Sequence, residues 1–289
     1  MASPITYVDY CTGVVQATAV MFTSFYALDY LHPIGGAFDR FMKKQTNKSG
    51  SPLSEEEIRA KRSQLYIKIV SMAHCLYTSY QFFHVISKCP EFYELFNRII
   101  LNLDKDAITS KEMLDKIWFT SHDSIYHATQ VLLGFFLYEL TIVHKWEHYS
   151  RVMILHHVLP LIFIPVAAVE RRGHWILNML LTHEMSTPFL CIKGILDTFK
   201  VKKNNPIYSL NGLLLTFTFL GIRCGGAIGM LSAVLYDPSY WKDPIIAFLL
   251  PSVLAPPFFN VFWGFKLIRG IINILLGKKK EKKVDNKKE

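Results

Sequence analysis

Two adjacent imidazoles, His156 and His157, stand inside an apolar stretch, Val152 to Val169, that carries no other ionisable side chain. A second apolar stretch follows, with the run His183-Glu184-Met185-Ser186-Thr187-Pro188-Phe189. Ionisable groups are costly in hydrocarbon, so within a membrane span they face a bundle interior or a polar cavity and are candidates for function. Two such segments in succession predict a polar centre inside the bilayer. The chemistry these residue types offer is proton transfer at imidazole, with carboxylates to orient the rings.

Spacing and depth sharpen this expectation. Pro188 has no N–H, so the carbonyl of Glu184 loses its helical partner, and the hydroxyls of Ser186 and Thr187 are at hand to compensate. The run therefore predicts a bend that opens toward a cavity. Glu139 and His156 lie at matching positions in consecutive segments, both roughly 8 Å inside one boundary at ~1.5 Å per residue. Glu139 is thus expected to orient one of the two imidazoles. Adjacent helical residues point about 100° apart, so the two rings are not expected to share one role. Arg223 falls near mid-span, where an unpaired guanidinium is very costly. Glu184 is its expected counter-ion, with Asn211 assisting. The same residues also suit a second role, interhelical hydrogen bonding. No metal is expected: a tandem His-His does not present both rings to one ion, and the sequence has no HExxH, GxSxG, P-loop or dinucleotide fingerprint.

The elements that must hold these residues are membrane helices. The 289 residues are 51% hydrophobic and 14% aromatic, and long low-charge runs of about 20 residues suit bilayer-spanning helices. Seven segments are read as spans: 11–31, 66–87, 124–144, 151–169, 175–196, 208–235 and 245–268. The expected fold class is an all-α polytopic membrane protein of about seven transmembrane helices, the last six forming one bundle. The runs lack the alternation of barrel strands. The opening residues lack the basic cluster of a cleavable signal, so the first span is expected to be retained. Three regions follow: an N-terminal helix and polar loop over 1–61, the main membrane domain over 62–270, and a basic tail over 271–289.

The net charge of +9 does not point to nucleic acid, because it is distributed by side. With the N-terminus lumenal, the cytosolic loops and tail hold 20 Lys and Arg against 8 opposite. The positive-inside rule therefore predicts a lumenal N-terminus and a cytosolic C-terminus. Ser54 and Glu57 form a capping-box pattern, and 54–62 is expected to lie along the cytosolic surface. On the lumenal side, Phe92-Tyr93, Leu95-Phe96 and Ile99-Ile100-Leu101 recur at helical spacing and predict an amphipathic interfacial helix. Trp118, Trp175, Trp241 and Trp146 are expected in interfacial aromatic belts. Prolines 188, 251, 256 and 257 are expected to kink spans five and seven. The five cysteines show no metal spacing, and Cys11 and Cys89 fall near the same boundary, where pairing is open to them.

Three motifs carry a family likeness: Leu133-Gly134-Phe135-Phe136-Leu137-Tyr138-Glu139, then Met153-Ile154-Leu155-His156-His157, then Glu184 to Phe189. Together they resemble the TLC domain, shared by translocating-chain-associated membrane proteins, ceramide synthases and the neuronal ceroid-lipofuscinosis protein eight. Asp9-Tyr10, the Glu184–Phe189 run followed by Cys191, and Asn211 with Arg223 give a particular likeness to the last group. The resemblance implies a multi-pass endoplasmic reticulum protein of lipid metabolism and lysosome homeostasis. In ceramide synthases the histidine pair belongs to an acyl-CoA-dependent acyl-transfer site, and His156 and His157 match it. On that reading acyl-CoA is the co-substrate and a membrane lipid the acceptor. One of His156 or His157 is the base, Glu139 orients it, and Glu184, Arg223, Ser186 and Asn211 bind the lipid headgroup. Ceramide synthases continue with an aspartate-rich motif where this sequence has His183 to Pro188. The ceroid-lipofuscinosis likeness implies a non-enzymatic alternative, a cargo adaptor or lipid-binding regulator for export of lysosomal enzymes to the Golgi, with the cargo held on the lumenal side. At the end of the tail, Lys287 and Lys288 follow Asn286, a weak match to a dilysine retrieval signal.

Overall fold

The computed structural model describes residues 5–31, 35–46, 50–102, 104, 106, 110–142 and 151–275. The end of the third predicted span at His144, Trp146, the Asn47 sequon and the tail beyond 275 lie outside them. The described chain is helical. Helix α1 (Tyr7–Leu31) is followed by α2 (Gly35–Lys43), α3 (Glu55–Lys88), α4 (Pro90–Leu95), α5 (Lys111–Phe119), α6 (Ser124–Ile142) and α7 (Arg151–Val169). Helix α8 (His174–Thr182) passes through a 3-10 turn, His183–Ser186, into α9 (Thr187–Thr198). Helix α10 (Pro206–Thr218) passes through a π-helical run, Phe219–Gly225, into α11 (Gly226–Tyr236), and α12 spans Pro244–Leu275. Among the described residues four stretches are long and apolar enough to cross a membrane, by length and composition: Tyr7–Leu31, Arg151–Val169, Pro206–Tyr236 and Pro244–Ile272. The other three predicted spans correspond to α3, α6 and the interrupted α8–α9. These three bring most of the polar residues to the interior.

From α3 onward, neighbouring helices close on themselves. Helix α3 packs on α6, α6 on α7, α7 on α12, α12 on the π run and α11, α9 on α10, and α9 back on α3. Helix α1, set apart in the sequence by its long following loop, packs along α6. Gly134 makes that approach possible. A Cβ there would stand 2.6 Å from the Ala17 Cβ and 2.9 Å from the Thr18 backbone nitrogen. The Tyr10 hydroxyl donates to Thr129 Oγ1 at 2.7 Å, and Thr18 Oγ1 donates to the Gly134 carbonyl at 3.2 Å.

Several expectations change on contact with the packing. The capping box forms, with Glu57 N donating to Ser54 Oγ at 3.1 Å and Ser54 N to Glu57 Oε2 at 2.7 Å. The helix it starts does not lie on the surface: α3 runs unbroken for 34 residues, with no Gly or Pro to interrupt it. The amphipathic helix on that side is α2, whose Phe38 and Met42 bury against Ile58 and Leu65. On the opposite side the predicted amphipathic segment forms as α4 and a π-helical run, Phe96–Leu101, burying Phe92, Leu95 and Ile99. Trp118 and Trp175 do not sit in an interfacial belt. Both are enclosed by the core, because α5 folds back over the bundle and the Gly173 N–H, in a left-handed turn, donates to the Trp118 carbonyl at 2.9 Å. Helix α12 continues as one helical run through Pro251, Pro256 and Pro257. Cys11 and Cys89 are both free thiols, and burial pushes the Cys89 thiol up to about 11.

Candidate functional site

The interruption at Pro188 builds the centre. With no N–H at 188, the Glu184 carbonyl takes the Thr187 N–H instead, which tightens residues 183–186 into the 3-10 turn. The turn rotates His183, Glu184 and Ser186 into the interior, and all three are buried. Opposite it, the π-helical run of the sixth span brings in Arg223. Arg223 Nε donates to Ser186 Oγ and Nη2 to Thr187 Oγ1, both at 2.7 Å, while Nη2 stands 3.9 Å from Glu184 Oε1. The other Glu184 oxygen accepts from the Cys75 thiol at 3.2 Å. Asn260 of α12 donates to the Arg223 carbonyl at 3.2 Å, which helps satisfy backbone loosened by the π run.

Arg223 thus braces the turn and only secondarily neutralises Glu184. It is 8% exposed and lines neither of the two cavities described below. Asn211 is not part of the cluster. Its amide donates to the Phe189 carbonyl at 2.9 Å, one turn further along α9.

The histidine pair divides as its 100° separation requires. His157 turns inward, 3% exposed, stacks on Phe136 and places Nε2 3.4 Å from Glu139 Oε2. Ser71 of α3 donates to the other Glu139 oxygen at 3.2 Å. His156 turns toward α12, where its ring meets Trp263 and Phe259 edge-on at 5.2 and 5.7 Å between centroids. The carboxylate therefore orients one imidazole, and the other faces open space.

That space is a narrow cavity of about 40 Å³ between α6, α7, α8, the 3-10 turn and α12. Its polar groups are His156, His183, Glu184 and Ser252 among an otherwise apolar lining. Neither the His156 nor the His183 ring has a hydrogen-bonding partner among the described residues. A second cavity, of about 350 Å³, lies on the other side of His183. Among the described residues no three His, Cys, Asp or Glu side chains converge as metal ligands.

His183, Cys75 and Ser71 are the participants to which reading the sequence gave no role, and Thr187, expected to compensate the Glu184 carbonyl, instead accepts from Arg223. His183 had a visible signal, as a titratable residue beside Glu184 and four before Thr187-Pro188. Cys75 and Ser71 had none, because they reach the centre from α3 only through tertiary packing. His74, also buried, stacks on Phe135 at 3.9 Å and bonds Thr78 at 3.1 Å, a structural arrangement within α3 and α6.

Fold and site together define an all-α polytopic membrane protein with an intramembrane polar centre. A model of the TLC domain matches residues 65–269, and the chain belongs to that family. It is 26% identical over 141 residues to TLC domain-containing protein 4 A of Dictyostelium discoideum, covering 46% of this chain and 53% of that protein. To TLC domain-containing protein 4-B of Danio rerio it is 23% identical over 167 residues, covering 55% and 62%. An uncharacterized TLC domain-containing protein of Schizosaccharomyces pombe is 25% identical over 155 residues, covering 51% and 52%. The chain thus spans about half to three-fifths of the length of these relatives. No solved structure matches it. The finer likeness to the ceroid-lipofuscinosis group rests on the sequence motifs alone.

Proposed function

We propose that this protein is a lipid acyltransferase of the endoplasmic reticulum membrane, using acyl-CoA as co-substrate and a membrane lipid as acceptor. The single observation that carries this reading is the convergence of His156, His183 and Glu184 on one cavity within the bundle, with His157 held behind them by Glu139. Two imidazoles, His156 and His183, that have no hydrogen-bonding partner among the described residues and face a cavity inside a bundle are more than helix packing requires. His156 is assigned as general base and His157 with Glu139 as the positioning pair. Glu184, held by Arg223 and Cys75, orients the acceptor's polar group. The acceptor oxygen or nitrogen bonds to the thioester carbonyl carbon as its proton passes to His156. The carbon–sulfur bond then breaks, and the coenzyme thiolate takes the proton from His156. The α2 side, which carries the excess of Lys and Arg, is assigned to the cytosol, where acyl-CoA is presented.

The test is coenzyme release from radiolabelled acyl-CoA by the purified protein, with a panel of long-chain bases, lysophospholipids and diacylglycerol as acceptors. Turnover with one acceptor class supports the reading. No turnover with any of them, together with capture of lysosomal enzymes by the protein on the α4–α5 side, favours the adaptor. That second reading draws on one observation, the exposed Tyr93 and Phe119 presented by the structured α4–α5 cover.

A further inference from the structure

The larger cavity is not needed to place the groups that would do the chemistry. Phe82, Phe96, Met179, Met230 and His183 are among the residues that line it. The Thr182 hydroxyl, also at the wall, is engaged within its own helix, donating to the Met179 carbonyl at 2.6 Å. A buried imidazole without a hydrogen-bonding partner among the described residues thus lines a mainly apolar chamber of about 350 Å³. That is within the range of small-molecule sites.

The chamber has a mouth. Gly221, in the π-helical run, and Gly226, at the start of α11, both line it, and a Cβ at either would meet nothing within 4 Å. Gly221 is exposed on the outside of a span, where the surroundings are bilayer rather than water. Phe83 and Leu101, also on the rim, are 59% and 61% exposed. Two glycines at an opening in the wall of a span leave room that a side chain would fill. Methionines and aromatic rings form a pliable apolar lining suited to a flexible occupant.

We infer that this chamber binds one hydrocarbon chain of a phospholipid from the leaflet on the α4–α5 side, admitted past Gly221 and reaching His183 with its tip. The headgroup stays outside, at the level of Phe96–Leu101. Because His183 also borders the smaller cavity, a chain seated here touches the wall of the proposed reaction site. The inference concerns binding and stands independently of acyl transfer.

The test uses the full chain in phosphatidylcholine vesicles containing a trace of phosphatidylcholine with a mid-chain diazirine, irradiated and mapped by peptide mass spectrometry. Adducts are expected on the segments holding Met179 and Met230, besides those on lipid-facing residues such as Phe217. Gly226→Leu and Gly221→Leu fill the chamber and its mouth and should lower the interior adducts about tenfold. Gly270→Leu, another glycine with open space around it but far along α12, should leave them unchanged. Thermal unfolding in detergent shows that each variant is folded. Should either plug variant fail to fold, the wild-type map still decides. Labelling confined to outward-facing residues, or interior labelling equal in the plug variants and wild type, overturns the inference.

Discussion

Arg223 offers the most direct probe of how the polar centre is held. Its Nη2 stands 3.9 Å from Glu184 Oε1, an attraction of about 4 kcal/mol at an effective dielectric near 20. Its bonds to Ser186 Oγ and Thr187 Oγ1, at 2.7 Å, are charge-assisted, each contributing about 1.5–3 kcal/mol. Against these stands the cost of removing both charges from water, so the net loss in Arg223→Gln is expected to be about 3–5 kcal/mol. Glu184→Gln leaves the guanidinium buried beside a neutral amide and should cost a similar amount. The double substitution leaves neither charge unpaired, and its cost should fall short of the sum of the singles by at least about 1.5 kcal/mol. Arg223→Lys keeps the charge and loses the forked geometry, so it should fall between wild type and Arg223→Gln. Unfolding in detergent, by denaturant or heat, measures all four variants. Strict additivity, together with wild-type stability of Arg223→Lys, would refute both the pairing and the brace.

Other consequences follow from particular contacts. Pro188→Ala supplies an N–H for the Glu184 carbonyl and should convert the 3-10 turn toward α-helix; we expect unchanged or higher melting temperature but lost acyl transfer, and wild-type activity would make the bend incidental. Asn178 is fully buried, and neither polar atom of its amide has a partner among the described residues, so Asn178→Leu should stabilise by about 1–3 kcal/mol in the same unfolding assay, whereas a loss of stability would contradict it. The sequon Asn47-Lys48-Ser49 is assigned to the cytosolic side, so expression in a eukaryotic host should give no deglycosylase-sensitive shift; a shift abolished by Asn47→Gln would reverse the proposed orientation.

Much of the fold could be read before the structure was seen, for physical reasons that also mark where reading stopped. Helices stand at all seven predicted segments, and four of them are long and apolar enough by composition to cross a membrane among the described residues, because the bilayer imposes that length locally. The Glu184–Pro188 bend was legible because proline's missing N–H is a property of one residue. The proximity of Glu139 to the histidine pair followed from depth in two antiparallel neighbours. What depth could not give was azimuth: nothing local says that His157 turns to Glu139 and His156 to α12. Trp118 and Trp175 were misplaced in an interfacial belt because their position along the chain is interfacial while their burial depends on how α5 folds back. Asn211 was assigned to the centre by its span, yet its rotation spends it on the Phe189 carbonyl. Cys75 and Ser71 enter through the rotation of α3, which the sequence of that helix alone does not fix.

The central claim is that the cavity-facing imidazole performs acyl transfer. The measurement that tests it most directly is the single-turnover rate of acyl transfer from acyl-CoA, compared between wild type, His156→Ala and His156→Gln at equal thermal stability. Loss of a general base predicts a fall of about 10²–10⁴-fold in both variants. Rates equal to wild type in a folded His156→Ala protein would contradict the account and return His156 to the packing of α7 against α12.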